Sequence, residues 1–200
     1  MNTAVLQTSG VAAKRDGKAM TSWERRKMDA DKHDTRNGTS AKALWTKLQG
    51  LAGDEQKTIL PRFSLLVQTS SLVQSTGETI TMIESLHRAQ VVGQFRVFSI
   101  LPRPESNFSF VSVGRNPHND IVLNNGSVSG FHAFFPREDL PELLDAGSKN
   151  GTFINGESVH IRGEGKPSQI PKGATLRFGH VSGTLLDQEQ LLGFLARTLG

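Results

Sequence analysis

The sequence predicts an all-β fold, a β-sandwich of two antiparallel sheets over residues 94–186, with a disordered basic N-terminal tail before it and a short C-terminal helix after it. Three observations predict this. From Gln94 onward, short runs of β-branched and aromatic residues recur at close intervals, each ending in Gly, Pro, Asn, Asp or Ser, as strands and turns do in a sandwich. Asn155-Gly156 stands between Thr152-Phe153-Ile154 and Ser158-Val159-His160-Ile161, a strong two-residue hairpin signal. Charge is unevenly spread: residues 1–50 hold ten Lys/Arg against five Asp/Glu, and the remainder thirteen against fourteen, so the net +4 belongs to the N-terminal segment.

Taken in order, residues 1–55 read as a largely disordered basic tail and linker, too poor in apolar residues over 1–40 to offset chain entropy. Arg25-Arg26-Lys27 is a short basic patch followed at once by acids, which reads as a solvated tail, and nucleic-acid binding is not expected. Ala41 to Ala52 places apolar residues at 44, 45, 48, 51 and 52, close to a helical stripe, although Gly50 weakens its end. Residues 56–93 read as an N-terminal extension, in part helical. Within it Thr58 to Val67 is extended, with Pro61 arguing against a central strand, and Glu78 to Ala89 has a helical period. From Gln94 the expected strands are Phe95 to Ile100, Phe108 to Val113, Ile121 to Leu123, Phe131 to Phe135, Glu142 to Asp145, Thr152 to Ile154, Ser158 to Ile161, Ser168 to Ile170, Ala174 to Phe178 and Gly183 to Leu186. Residues 187–200 form an amphipathic helix carrying Leu191, Leu192, Phe194, Leu195 and Leu199, with Asp187 as N-cap.

Composition narrows the function. Without cysteine there is no disulfide framework and no thiolate metal site, which suits a reducing, cytoplasmic setting. No apolar run approaches ~18 residues, so no membrane span is expected. The first residues lack an apolar stretch long enough for secretion. No clustered carboxylates or His–His spacing point to a metal, and no cofactor is expected. Ser129 and His132 fall on one short segment with no Gly-x-Ser-x-Gly frame, and the Gly-rich run 147–152 lacks the phosphate-loop Gly-Lys-Ser/Thr pattern, so an enzyme is not expected.

Three polar, glycine-flanked pieces remain: Gly114-Arg115, Ser129-Gly130-Phe131-His132 and Ser148-Lys149-Asn150-Gly151-Thr152. Strands carrying them would bring their ends to one edge of a sandwich. A guanidinium, a hydroxyl and a carboxamide then meet beside the backbone N–H groups of tight turns. That is a set of donors without a nucleophile, and it suits an anion, phosphate above all. Arg115 offers a fixed fork of donors that is always charged, in bonds worth ~1.5–3 kcal/mol each. Ser129 supplies a short neutral donor, with the backbone around Gly130 beside it. Asn150 can pair with the backbone of an extended ligand, and Lys149 is a second cation. Gly114 and Gly151 permit tight loop conformations.

In their order, Gly114-Arg115, Ser129-x-x-His132, Asn150-Gly151 and Asn155-Gly156 resemble the pattern of the forkhead-associated (FHA) domain. The resemblance covers roughly Gln94 to Leu186 and not the first ninety residues. It implies an FHA-type β-sandwich that binds phosphothreonine peptides and serves as a signalling adaptor downstream of a Ser/Thr kinase. The partner it implies is a phosphothreonine-containing protein, or the chain's own tail phosphorylated at Thr3, Thr8, Thr21, Thr35 or Thr39, Thr21 being preferred. It also implies that His132 supports the loops without touching phosphate, as do Gly114, Gly151, Asn155 and Gly156. The spacing to His132 selects Ser129 over Ser127. At Gly130 the sequence departs from the family, which often has Asn, Arg or Lys there, so one ligand contact is missing. Lys149 and Arg137 would favour an acidic residue three places after the phosphothreonine. The alternative is a structural FHA fold making phosphate-independent protein contacts.

Overall fold

The computed structural model describes residues 14–15, 18–19, 36–72, 94–103, 106, 108–139 and 141–200. The helix expected over 78–89 and most of the tail expected to be disordered lie outside these residues; within that tail, residues 14–15 and 18–19 instead pair as two short strands. The strands are β1 (Lys14–Arg15), β2 (Lys18–Ala19), β3 (Thr39–Ser40), β4 (Phe63–Gln68), β5 (Phe95–Ser99), β6 (Val111–Gly114), β7 (Ile121–Val122), β8 (Ala133–Phe135), β9 (Glu142–Asp145), β10 (Thr152–Ile154), β11 (Glu157–Ser158), β12 (Ser168–Gln169), β13 (Thr175–Phe178) and β14 (Val181–Asp187). The helices are α1 (Ala41–Leu48), α2 (Gly53–Ile59), α3 (Thr69–Leu72) and α4 (Gln188–Leu199).

Apart from the small β1–β2 pair, the strands form two sheets, one of seven strands in the order β11-β10-β13-β14-β4-β5-β3 and one of five in the order β12-β9-β8-β6-β7. Period-two alternation builds the core between them. Leu65 and Val67 of β4 point inward with Phe98, Val111, Val113, Ala133, Phe135, Leu143, Leu176, Phe178 and Leu185. Leu66 of β4, Val97 of β5 and Leu186 of β14 point the other way, into a second cluster with Ala41 and Leu48 of α1 and Leu191 and Leu195 of α4. The outer face of the seven-stranded sheet is therefore roofed by α1 and α4.

Three features differ from the sequence expectation. Phe63–Gln68 is a central strand, paired with both β14 and β5, because Pro61 lies two residues before it and withdraws no N–H from either ladder. Part of the segment expected to be tail is helical: the stripe at 41, 44, 45 and 48 finds the apolar back of the sheet, Ser40 caps α1 by accepting from Ala43 N, and α2 follows. Within the five-stranded sheet, β6 and β7 run parallel, Val113 beside Ile121. Turn residues 115–120 fold outward between them and return the chain alongside itself, and Asp120 ties the excursion down by accepting from Ser112 N (2.8 Å) and Ser112 Oγ. The remaining pairs are antiparallel as expected. The C-terminal helix starts where the sequence placed it, with Asp187 and Gln190 in a reciprocal capping box.

Candidate functional site

Strands β6, β7, β9 and β13 deliver the loops 115–120, 123–132, 146–151 and 179–180 to one end of the sandwich. The loops are bonded to each other more than to the sheets. Arg115 N donates to Ser129 O (2.9 Å) and Asn116 N to Gly130 O (3.0 Å). Gly130 O also accepts from the Asn119 side chain at 2.7 Å. This junction requires glycine at 114: a Cβ there would stand 2.3 Å from Gly130 O. Gly130 itself has no such requirement. Its φ is ordinary, and a Cβ would meet nothing nearer than Asn116 Cβ at 4.0 Å.

His132 is the pin beneath the loops. Its ring is fully buried, accepts from Ser129 N at Nδ1 (2.9 Å) and lies 3.1 Å from Gly151 O at Nε2. Because Nδ1 accepts, the neutral ring carries its proton on Nε2 and donates it to Gly151. Burial lowers the His132 pKa from its ordinary value, outweighing the Gly151 carbonyl and the Asp145 carboxylate, which both raise it. The histidine thus joins the second loop to the third from below.

The third loop is organised by Asp145 at the end of β9. Its carboxylate accepts from Gly147 N (2.7 Å), Ser148 N (2.6 Å), Ser148 Oγ (2.6 Å) and Thr152 Oγ1. Burial pushes its pKa up, but these hydrogen bonds win and hold it below the usual carboxylate value. Gly151 adopts φ +75°, and a Cβ there would press on the Phe153 ring at 2.9 Å.

Above this frame stand the candidate ligands. Arg115 is exposed, and its Nε donates to Val128 O at 3.3 Å, which aims the guanidinium along the loop. The Ser129 hydroxyl accepts from Lys149 N (3.0 Å) and keeps its own proton available for donation. Lys149 and Asn150 are exposed, and Asn150 Nδ2 donates to Ser127 O (2.7 Å). Arg115, Ser129, Gly130, Lys149 and Asn150 are thus brought to one loop edge, with Gly114, His132 and Gly151 beneath. Asn155 and Gly156 are not brought there. They lie at the other end of β10, where Asn155 (φ +50°) and Gly156 (φ +90°) make a tight turn and Asn155 exchanges two hydrogen bonds with the Thr175 backbone. Arg137 is paired with Asp139 at 2.8 Å instead of standing free as a cation.

Sequence reasoning missed four contributors. Asn119 (5% exposed) was only turn chemistry, yet it bridges Asn116 and Gly130. Asp145 was only a strand end, although an Asp two and three residues before Gly147-Ser148 is a local Asx signal. Ser127 was set aside for Ser129, yet its carbonyl holds Asn150 and its hydroxyl accepts from His180 N (2.9 Å), binding the 179–180 turn into the edge. Asn125 anchors it by accepting from Ser127 N and Oγ, and an Asn two residues before Ser127 is again a local Asx signal.

Residues 111–179 match the family model of the FHA domain. The chain is 38% identical over 76 residues to an oxoglutarate dehydrogenase inhibitor of Corynebacterium diphtheriae, a match covering 36% of this chain and 50% of that protein. It is 39% identical over 67 residues to the glycogen accumulation regulator GarA of Mycobacterium tuberculosis, covering 32% and 41%. The chain thus spans half or less of the length of these relatives. A solved FHA domain from Chlamydia trachomatis is 22% identical, with coverage of 62% of this chain and 97% of that one and a TM-score of 0.38.

Proposed function

Residues 111–179 of this chain are an FHA domain, and we propose that it binds a phosphothreonine-containing protein at the loop edge and acts as a signalling adaptor downstream of a Ser/Thr kinase. Arg115 takes the phosphate through charge-assisted hydrogen bonds, Ser129 donates its hydroxyl to a further oxygen, and Lys149 adds a second positive charge. The free carbonyl of the Asn150 carboxamide pairs with an N–H of the extended peptide, and backbone at 129–130 lines the same place. Gly114, His132 and Gly151 hold these groups in position without touching the ligand, and Asn155-Gly156 supports them through the sheet.

One observation supports this reading above the others. An exposed guanidinium, a hydroxyl with its proton free and an exposed lysine are held together by loop-to-loop hydrogen bonds, so the donors are positioned before any ligand arrives. The names of the relatives, an inhibitor and a regulator, agree with binding and not catalysis. In this reading the chain works in the cytoplasm. Its partner is another phosphorylated protein or its own tail phosphorylated at Thr21. The binding unit includes β4, which separates β14 from β5 in the sheet.

The test is fluorescence-anisotropy binding of the full chain to a degenerate phosphothreonine peptide library, with unphosphorylated and phosphoserine libraries as controls. Binding that requires phosphate supports the reading. Equal binding of all three libraries would favour the phosphate-independent scaffold.

A further inference from the structure

The outer faces of the two sheets are treated differently. The seven-stranded sheet is roofed by α1 and α4, while the five-stranded sheet carries a run of phenylalanine rings in mutual contact. Phe108 stacks on Phe110 at 4.8 Å, Phe110 meets Phe134 at 5.3 Å and Phe131 at 6.3 Å, and Phe131 stacks on Phe134 at 6.0 Å. Phe108 is 64% and Phe131 40% exposed, so two of the four exposed large apolar side chains among the described residues fall in this one cluster. A lone exposed ring is ordinary, but a contiguous group of them marks an interaction surface.

This surface is continuous with the phosphate edge. Phe131 is two residues after Ser129, and both of its neighbours are pinned: Gly130 O by Asn116 and Asn119, and His132 N by Val113 O at 2.9 Å. The backbone that carries the ring is therefore held in place. Between Ser129 and Phe131 stands Gly130, whose missing side chain neither backbone conformation nor packing demands. A Cβ built there would meet nothing nearer than Asn116 Cβ at 4.0 Å, so no side chain of this segment stands between Ser129 and Phe131. At the far side the Arg162 guanidinium lies 5.9 Å from the Phe134 ring centroid and places a positive charge on the rim.

We infer that the phosphorylated partner is read at a second place, where an apolar or aromatic side chain within a few residues of its phosphothreonine passes Gly130 and seats on Phe110, Phe131 and Phe134. This deepens the proposed function and rests on it. The rings run on from the phosphate loop and so face that same partner, and Arg162 disfavours Lys or Arg at that peptide position.

The test screens the full chain against the same degenerate phosphothreonine library, scoring each flanking position. It is repeated with Phe131→Ser, Phe134→Thr and Phe110→Ser. The expected result is enrichment of apolar residues at one flanking position. Phe131→Ser should abolish the enrichment and weaken the selected peptide about tenfold, with phosphate dependence intact. Phe110→Ser, which removes a ring of the cluster outside the phosphate edge, should do the same if Phe134→Thr proves unfoldable. Phosphate-dependent binding with no apolar preference, or a preference these variants leave unchanged, would overturn the inference and leave the functional reading standing. Absence of phosphate-dependent binding would remove both. Sedimentation of the unliganded chain should show a monomer; a dimer that Phe131→Ser dissociates would assign the rings to a second copy and overturn the inference.

Discussion

Strand β10 has an Asn-Gly pair at each end, and the two pairs do different work. Asn155 turns left-handed with Gly156 and spends its side chain on the Thr175 backbone, so the pair serves the sheet. At the other end only Gly151 is left-handed; Asn150 holds itself upright with one bond to Ser127 O and leaves the rest of its carboxamide exposed. The same dipeptide becomes a hairpin or leaves an exposed carboxamide at the loop edge according to which residue takes the positive φ and where the amide finds its partner. Stability and the proposed binding should therefore separate along a strand of three residues.

The largest effect should come from the frame beneath the binding end. Asp145→Ala leaves four donors without their acceptor, Thr152 among them buried, and should cost about 3 kcal/mol or more in urea unfolding. A loss below about 1 kcal/mol would mean that the 146–151 loop holds itself. The hairpin end comes next. Asn155→Ala should cost about 1–2 kcal/mol from the strained φ and the lost hydrogen bond, and leave phosphopeptide affinity unchanged. Asn150→Ala should do the reverse, reducing affinity about tenfold while shifting stability by less than ~0.5 kcal/mol. If both variants changed the same quantity, the separation would be lost.

A pH titration sharpens the comparison at His132. Its folded pKa lies below the ordinary 6.5, so the unfolded chain binds more protons in the window just under that value. The contribution of the neutral ring is fully present above 6.5 and is lost as pH falls through the lowered folded value. Urea midpoints should therefore fall on acidification below 6.5, and His132→Gln should flatten that fall. Asp145 acts in a separate window, since its pKa is lowered and its contribution is lost only as pH drops below 3.8. The smallest effect is Gly130→Ala, which should be neutral or stabilise by up to ~1 kcal/mol, because the site has room and an ordinary φ.

The turns and the donor residues at the loop edge were legible because their chemistry is local: Asn-Gly, Ser-x-x-His and Gly-Arg each declare a turn and a donor within four residues. The strands were legible as periodic runs, but their neighbours were not. β4 was discounted for Pro61, whose position just outside the ladder is visible only once β14 and β5 flank it. Asn119 and Ser127 were unreadable as site residues because partners of each lie on other loops, brought together by the pairing of β6 with β8 and of β10 with β13. Arg137 shows the opposite error, since a neighbouring Asp139 claims a cation that sequence alone left free.

The most direct measurement is a cycle of four affinities: wild type and Arg115→Ala, each with one selected peptide in phosphorylated and unphosphorylated form. A phosphate held by Arg115 predicts a coupling of about 2 kcal/mol or more between guanidinium and phosphate, with the folded stability of Arg115→Ala unchanged. A coupling near zero, with the phosphorylated peptide still preferred by Arg115→Ala as strongly as by wild type, would contradict the placement of phosphate at this edge.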